Sequence, residues 1–240
     1  MRRLVARLTG RPILCLVTDR QRLCPGAGVA DGCRAVVSQV EAAVRAGIDL
    51  VQIRERDLDG RTLLRLVLDC VDAANGSATA VVVNDRTDVA LSAGAHGVHL
   101  REGSVPATAV RAMAGRTLIV GRSLHPSSAD GVLPRSGLQG PGAIDVDYGI
   151  LGPVFPTRSK PSGASFLGLD GFSALAKTIA APVLAIGGVS ENRASALARS
   201  GAAGVAAVDL WLPAAGKNPG EELSARATAI RLAWRAEGAS

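Results

Sequence analysis

The chain has 240 residues and carries 27 Lys and Arg against 21 Asp and Glu, a formal net charge of +6. Apolar residues make up 48% of it, enough for a large buried core, which excludes wholesale disorder. Its aromatic residues are three Phe, two Trp and one Tyr, which argues against proteins that bind single-stranded nucleic acid or sugars by stacking on aromatic side chains.

Eight short apolar runs, nearly continuous in Val, Ile and Leu, predict strands that are buried on both faces, as in parallel sheets. The predicted strands are 13–18, 49–54, 80–84, 97–100, 118–123, 147–152, 182–187 and 204–208. Amphipathic stretches predict helices at 35–46, 60–74, 87–93, 106–114, 171–180, 191–200 and 221–236. Gly47, Gly94 and Gly201 each follow a helical stretch, where a helix end favours a left-handed residue.

This alternation predicts an α/β protein with a single (β/α)8 TIM barrel. We expect one domain over 1–240, with the barrel core at about 13–210 and a C-terminal helix at about 221–236. A doubly wound open sheet is the main alternative, but no GxGxxG follows the first strand. Three Pro and four Gly between 125 and 143 predict a loop or a short, broken helix there.

The charge and the apolar runs also limit the partners. Arg is scattered rather than clustered, so the positive charge favours a small phosphorylated substrate over nucleic acid. No run of 18 apolar residues and no signal-like N-terminus occur, so we expect a cytoplasmic protein without a membrane partner. The four Cys show no metal spacing and are expected to be reduced thiols. A homo-oligomer is compatible with the sequence.

Polar residues follow the predicted strands, at the end of a TIM barrel where active sites lie. Alternation along the second strand places Gln52, Arg54 and Arg56 on one face. Ser123 and His125 come at the end of the fifth strand, and a histidine there could shuttle protons near neutral pH. Each of these residues has the alternative of being a solvated rim residue.

Two later segments suit a phosphate group. Thr157-Arg158-Ser159-Lys160 offers two hydroxyls and two cations in four residues. Gly187-Gly188 allows close approach of the backbone to an anion. His99, by contrast, alternates inward in a short strand and is interpreted as a core histidine.

Six segments in chain order resemble the thiamine phosphate synthase and TenI superfamily. They are VQIRER (51–56), VNDRTDVAL (83–91), GVHL (97–100), GRSLH (121–125), GPVFPTRSK (152–160) and PVLAIGGV (182–189). The resemblance implies a TIM barrel that acts on thiazole phosphate in thiamin biosynthesis. The synthase of this superfamily joins an aminopyrimidine methyl pyrophosphate to thiazole phosphate, releases pyrophosphate and uses Mg²⁺. The TenI-type tautomerase moves a proton to aromatise thiazole phosphate and needs no metal.

The resemblance also implies roles for single residues. Pyrimidine and pyrophosphate contacts match Gln52, Arg54, Arg56, Asn84 and Lys160. Thiazole phosphate contacts match Thr157, Ser159 and Gly188, and Ser123 is a further substrate-binding candidate. Asp85 matches a Mg²⁺ ligand of the synthase, and His125 matches the acid/base histidine of the tautomerase.

Three positions depart from the synthase pattern. Arg56 stands in place of a lysine, Ser104 in place of a second Mg²⁺-binding aspartate, and Asp209 in place of a serine near the thiazole phosphate. Loss of a carboxylate weakens a Mg²⁺ site, and a carboxylate beside a phosphate is repulsive. The lost carboxylate, with the segments IRER (53–56) and GRSLH (121–125), leads us to expect a TenI-like tautomerase without a cofactor, whereas Asp209 counts against both activities. The Mg²⁺-dependent synthase is the alternative, and a non-catalytic homologue that binds a phosphorylated ligand is the third hypothesis.

Overall fold

The computed structural model describes residues 11–125, 145–158, 165–214 and 217–238. Eight parallel strands form a closed barrel in chain order, and β8 pairs with β1. The strands are β1 (Ile13–Val17), β2 (Leu50–Ile53), β3 (Ala80–Asn84), β4 (Gly97–Leu100), β5 (Ile119–Leu124), β6 (Tyr148–Leu151), β7 (Val183–Ile186) and β8 (Gly204–Ala207). The predicted (β/α)8 barrel is confirmed, and every strand end lies within one residue of its prediction. The assignment of residues 1–240 to one domain stays a prediction.

Helices surround the barrel. They are α1 (Arg20–Leu23), α2 (Val29–Arg45), α3 (Gly60–Ala73), α4 (Thr87–Ser92), α5 (Ala107–Ala114), α6 (Gly168–Ala176), α7 (Ala194–Arg199) and α8 (Pro219–Gly238). Short 3-10 turns occupy Glu191–Arg193 and Asp209–Trp211. None of the helices described here is long and apolar enough to cross a membrane. The predicted loop at 125–143 lies, after its first residue, outside the described residues.

The helix boundaries differ from the predictions mainly near β1. The four-residue helix α1 was not predicted; it is capped by Asp19, whose side chain accepts a hydrogen bond from the Arg22 backbone N–H. Helix α2 begins at Val29, six residues before its predicted start. Gly32 lies in its first turns, where a Cβ would come within 3.3 Å of Arg20 Cδ. The sequence pattern alone carries no sign of this contact.

The barrel interior is apolar toward the amino ends of the strands and polar at their carboxyl ends. The apolar part forms its own cluster, which includes Ile13, Cys15, Val17, Leu50, Ala80, Val82, Ile119, Tyr148, Ile150, Leu184 and Ala206. Nearer the carboxyl ends of β2, β3, β4 and β5, the inward positions hold Gln52, Asn84, His99 and Ser123. The carboxyl end of the barrel is therefore lined by hydrogen-bonding groups above an apolar core.

Candidate active site at the carboxyl ends of the strands

A cavity of about 550 Å³ opens at the carboxyl ends of the strands. The residues predicted from the sequence that line it are Gln52, Arg54, Arg56, Asn84, Ser123, His125 and Thr157. Gly187 also lines it, and Gly188 is the next residue along the chain. Two predicted residues, Ser159 and Lys160, lie outside the described residues. The structure thus brings seven candidates from four different strand ends to one site.

The floor of the cavity is a layer of neutral polar side chains. Gln52 Nε2 donates to Asn84 Oδ1 over 3.0 Å. The buried His99 ring lies between two hydroxyls, with Nε2 2.9 Å from Ser123 Oγ and Nδ1 3.1 Å from Tyr148 Oη. Burial lowers the pKa of His99 to about 3, and the nearby charges of Arg122 and His125 act in the same direction. His99 is therefore neutral at physiological pH, with one donor and one acceptor nitrogen.

A cationic wall rises beside this floor. The half-buried Arg54 and the exposed Arg56 alternate along the chain beyond β2 and both face the cavity. Burial lowers the pKa of Arg54, and the neighbouring charge of Arg56 lowers it further, but a guanidinium stays protonated in a protein. Two adjacent guanidinium groups are suited to bind an anion with several oxygens. Arg22 and Arg101 add two more cations to the cavity, against the carboxylates of Asp19 and Glu102.

Arg54 is held in place through the end of β1. Its backbone N–H donates to Thr18 Oγ1 over 2.9 Å, and that hydroxyl donates to Glu55 Oε1 over 2.7 Å. Glu55 also accepts from the Arg20 backbone N–H at 3.2 Å. Burial raises the pKa of Glu55, and its hydrogen bonds with Thr18 and Arg20 oppose that shift. Glu55 thus faces away from the cavity and fixes the segment that carries Arg54.

Asp85 lies in an adjoining pocket of about 200 Å³, together with Arg56, Asn84 and Arg101. Its backbone is left-handed, with φ +66°. One carboxylate oxygen accepts from Ser104 Oγ, and the other accepts from Arg101 Nε over 2.8 Å. Ser104 therefore stands beside Asp85, where a second carboxylate would double the negative charge.

The residues around Asp85 fit a Mg²⁺ ion that takes few ligands from the protein. Within the described ranges, no group of three or more His, Cys, Asp or Glu side chains could hold a metal ion. Mg²⁺ commonly takes one or two carboxylates and completes its shell with substrate phosphate oxygens and water. Asp85 supplies the carboxylate and Ser104 a hydroxyl oxygen. Such an ion would replace Arg101 as the positive partner of Asp85.

The loop after β7 approaches the loop after β6 closely. Gly187 and Gly188 have φ of +95° and +61°, and a Cβ on Gly188 would come within 2.8 Å of Phe155 Cβ. Arg193 donates to the Gly188 carbonyl oxygen, and its guanidinium lies 4.3 Å above the Phe155 ring. These contacts bring Thr157 and the two glycines to the same side of the cavity.

The predictions missed Arg22 and the partner of Asp209. Arg22 lines the cavity from α1, and its guanidinium forms an ion pair with the Asp209 carboxylate. The two residues are 187 positions apart, so no local pattern could pair them. The sequence signal was the departure at Asp209 itself, because a carboxylate near a phosphate site requires a compensating cation.

Comparisons with known proteins agree on one family. The family model described as Thiamine monophosphate synthase matches residues 14–210. The chain is 32% identical over 219 residues to the thiamine-phosphate synthase of Roseiflexus castenholzii, covering 91% of this chain and 87% of that protein. It is 34% identical over 195 residues to the thiamine-phosphate synthase of Chloroflexus aurantiacus, covering 81% and 82%. The solved thiamine phosphate pyrophosphorylase from Pyrococcus furiosus has the same fold, with a TM-score of 0.71 at 24% identity over 95% and 98% of the chains.

The expectation of a TenI-like tautomerase is wrong. Relatives that cover more than four fifths of the chain are named thiamine-phosphate synthase. The expectation rests on Ser104, and the structure accommodates that residue, because its hydroxyl donates to Asp85. Asp209, which counted against both activities, is neutralised by Arg22. His125 lines the cavity, and its acid/base role stays a prediction.

Proposed function

The chain belongs to the thiamine monophosphate synthase family, and from this membership we propose that it is an enzyme that makes thiamine phosphate. The reaction joins an aminopyrimidine methyl pyrophosphate to thiazole phosphate and releases pyrophosphate. The observation that carries the proposal is that one cavity holds the paired arginines Arg54 and Arg56 beside a neutral polar floor. Cytoplasmic location, a homo-oligomeric state and the lack of nucleic-acid partners stay predictions.

The cationic wall serves the leaving group. The bond between the aminopyrimidine methylene and the pyrophosphate oxygen breaks, and its electron pair leaves with pyrophosphate. Negative charge grows on that group in the transition state, so fixed guanidinium donors bind the transition state more tightly than the substrate. We assign Arg54, Arg56 and Asn84 to this role, together with Lys160 by resemblance.

The polar floor serves the pyrimidine. Loss of pyrophosphate leaves positive charge on the methylene carbon, and the ring nitrogen of thiazole phosphate then bonds to that carbon. A protonated imidazole beneath the carbon would oppose this charge, whereas His99 stays neutral because burial lowers its pKa to about 3. We assign Gln52 and Ser123 to hydrogen bonds with the pyrimidine edge.

The opposite side of the cavity serves the second substrate. Thr157 offers a hydroxyl, and the left-handed Gly187 and Gly188 bring the loop after β7 against the loop after β6, where backbone N–H groups can bind a phosphate. We assign the thiazole phosphate to this side, with Ser159 added by resemblance. This arrangement directs the thiazole ring toward the methylene carbon.

A bound Mg²⁺ would neutralise the pyrophosphate and make it a better leaving group. Asp85, with Ser104 beside it, would hold the ion. The requirement for Mg²⁺ is part of the proposed function.

The test is pyrophosphate release on mixing both substrates, with and without Mg²⁺. We expect release only when both substrates and Mg²⁺ are present, with thiamine phosphate formed in equal amount by mass spectrometry. Arg54→Gln should lower kcat at least about tenfold, since a charge-assisted contact contributes about 1.5–3 kcal/mol. Arg34→Gln, at an exposed ion pair with Asp31 on α2, is the matched control. No release at saturating Mg²⁺ would rule the proposal out.

A further inference from the structure

The loop after β8 is fixed to the rest of the barrel. Trp211 is fully buried, and its indole Nε1 donates to the Cys15 carbonyl oxygen over 2.9 Å. Gln39 donates to the Trp211 carbonyl oxygen over 3.2 Å. Arg226 donates to the carbonyl oxygens of Leu210 and Leu212 over 2.6 and 2.8 Å. The 3-10 turn that begins at Asp209 is therefore a rigid support.

Asp209 uses this support to hold an arginine. Its carboxylate pairs with one terminal nitrogen of Arg22, whose side chain is 28% exposed and lines the cavity. A guanidinium has five N–H donors, so this contact leaves it capable of bidentate binding to a phosphate. Asp209 itself is not among the residues that line the cavity. The carboxylate thus stands behind the guanidinium, as the partner that orients it.

Arg22 lies in a different sector from the pyrophosphate arginines. It follows β1, which pairs with β2 on one side and with β8 on the other. Its ion pair with Asp209, just after β8, turns the guanidinium toward β8 and its neighbour β7. Thr157, Gly187 and Val208, which follow β6, β7 and β8, line the same cavity. Arg54 and Arg56 follow β2, and Arg101 follows β4. Of the arginines seen to line the cavity, Arg22 is the one held by a residue that follows β8, on the side assigned to thiazole phosphate.

We propose that Arg22 binds the phosphate of the thiazole substrate and that Asp209 is a positioning residue that orients it. The inference rests on the proposed function, because it extends the same site by a residue. It also accounts for the carboxylate at 209: the Arg22–Asp209 pair adds a cation on the cavity side and keeps its counter-charge on the outer side. A neutral side chain at 209 would leave Arg22 without that restraint.

The experiment measures KM for each substrate separately in wild type, Arg22→Gln, Asp209→Ser and the double variant. We expect Arg22→Gln to raise KM for thiazole phosphate about tenfold to a hundredfold, the range of a lost charge-assisted contact. KM for the aminopyrimidine substrate should stay within about twofold. Asp209→Ser should have a smaller effect on KM for thiazole phosphate, and the double variant should match Arg22→Gln, because Asp209 acts through Arg22.

The double variant distinguishes phosphate binding by Arg22 from mere neutralisation of Asp209 by Arg22. If Arg22 only cancels the charge of Asp209, removal of both charges restores the wild-type KM, and the proposal is overturned. An unchanged KM in Arg22→Gln, or a rise for the aminopyrimidine substrate instead, overturns it too. Arg22→Lys keeps the charge and should recover part of the affinity, which keeps the test decisive if Arg22→Gln folds poorly. Arg34→Gln serves as the control for loss of an arginine.

Calorimetric titration of thiazole phosphate distinguishes this inference from the proposed function. If wild type binds the compound and Arg22→Gln binds it at least about tenfold more weakly, the assignment of Arg22 is supported even when no pyrophosphate is released. If the wild type releases pyrophosphate but both proteins bind thiazole phosphate equally, the synthase stands and the role of Arg22 is rejected.

Discussion

Ser104 limits the negative charge that a divalent ion meets at Asp85. Its hydroxyl donates to one Asp85 oxygen, and Arg101 forms an ion pair of 2.5 Å with the other. Ser104→Asp would add a second carboxylate and favour Mg²⁺ over Arg101. We expect the Mg²⁺ concentration for half-maximal pyrophosphate release to fall about tenfold, the equivalent of about 1.4 kcal/mol.

Binding of Mn²⁺, followed by electron paramagnetic resonance in the absence of substrate, measures the same change without turnover. Ser104→Ala is the matched variant, since it removes the hydroxyl and adds no charge. It should bind Mn²⁺ no more tightly than wild type. Weaker Mn²⁺ binding in Ser104→Asp than in wild type would contradict an ion site at Asp85.

Single residues could be predicted where chain geometry alone places them. Alternation along and beyond β2 was enough to put Gln52, Arg54 and Arg56 on one face, and all three line the cavity. The sequence indicates a core histidine at His99, and this side chain is buried and hydrogen-bonded, but it also lines the cavity, which the sequence does not indicate. The pairing of Arg22 with Asp209 could not be predicted, because barrel closure, which brings them together, leaves no trace in either local segment.

The loop after β7 has a shape that only glycine permits. Gly188 combines φ +61° with close contact to Pro156 and Phe155, so Gly188→Ala forces the two loops apart. We expect a rise of about tenfold or more in KM for thiazole phosphate, with a lowered Tm. Steady-state kinetics and thermal unfolding measure the two effects.

Gly201→Ala is the control for this variant. Gly201 also has a left-handed backbone, with φ +84°, but a Cβ there would meet no atom within 4 Å. The Gly201→Ala substitution should lower stability by about 1 kcal/mol through backbone strain and leave KM for thiazole phosphate unchanged. Equal effects on KM in the two variants would show that close approach at Gly188 plays no special part.

Strands were easier to predict than helix ends for a physical reason. A strand buried on both faces must be apolar throughout, so its length appears directly in the sequence. The glycines expected after helices are also observed, with φ of +66°, +65° and +84° at Gly47, Gly94 and Gly201. The first turns of α2 instead include Gly32, which packs against Arg20 of α1, a contact between elements that no local pattern shows.

A hydrogen bond through the barrel interior connects two strands that are not neighbours. His99 on β4 and Tyr148 on β6 are hydrogen-bonded across the intervening strand β5. Gly121 on β5 makes this bond possible, because a Cβ there would come within 2.5 Å of Tyr148 Cε1. The only tyrosine of the chain is thus a structural part of the site floor. This explains why so few aromatic residues suffice: Val, Leu, Ile and Ala fill nearly all of the remaining core.

This interior histidine makes the stability of the whole barrel sensitive to acid. The pKa of His99 is lowered from 6.5 in the unfolded chain to about 3 in the fold, mainly by burial. Between these values the unfolded state binds a proton that the folded state does not, so stability is lost as pH falls below 6.5. From pH 7.5 to pH 5 the loss from this group is about 2 kcal/mol, at 1.36 kcal/mol per pKa unit.

His99→Asn removes the titrating group, so its free energy of unfolding should fall less with acid than that of wild type. At neutral pH the variant should have a lower free energy of unfolding than wild type, because the hydrogen bonds to Tyr148 and Ser123 are weakened. Urea unfolding at several pH values gives both curves. Asp49 and Glu55, whose pKa values burial raises, titrate in both proteins and largely cancel in the difference. Since the His99–Tyr148 hydrogen bond crosses the barrel, protonation of His99 should destabilise all eight strands together. If the free energies of unfolding of the two proteins fall in parallel with pH, His99 does not resist protonation in the fold.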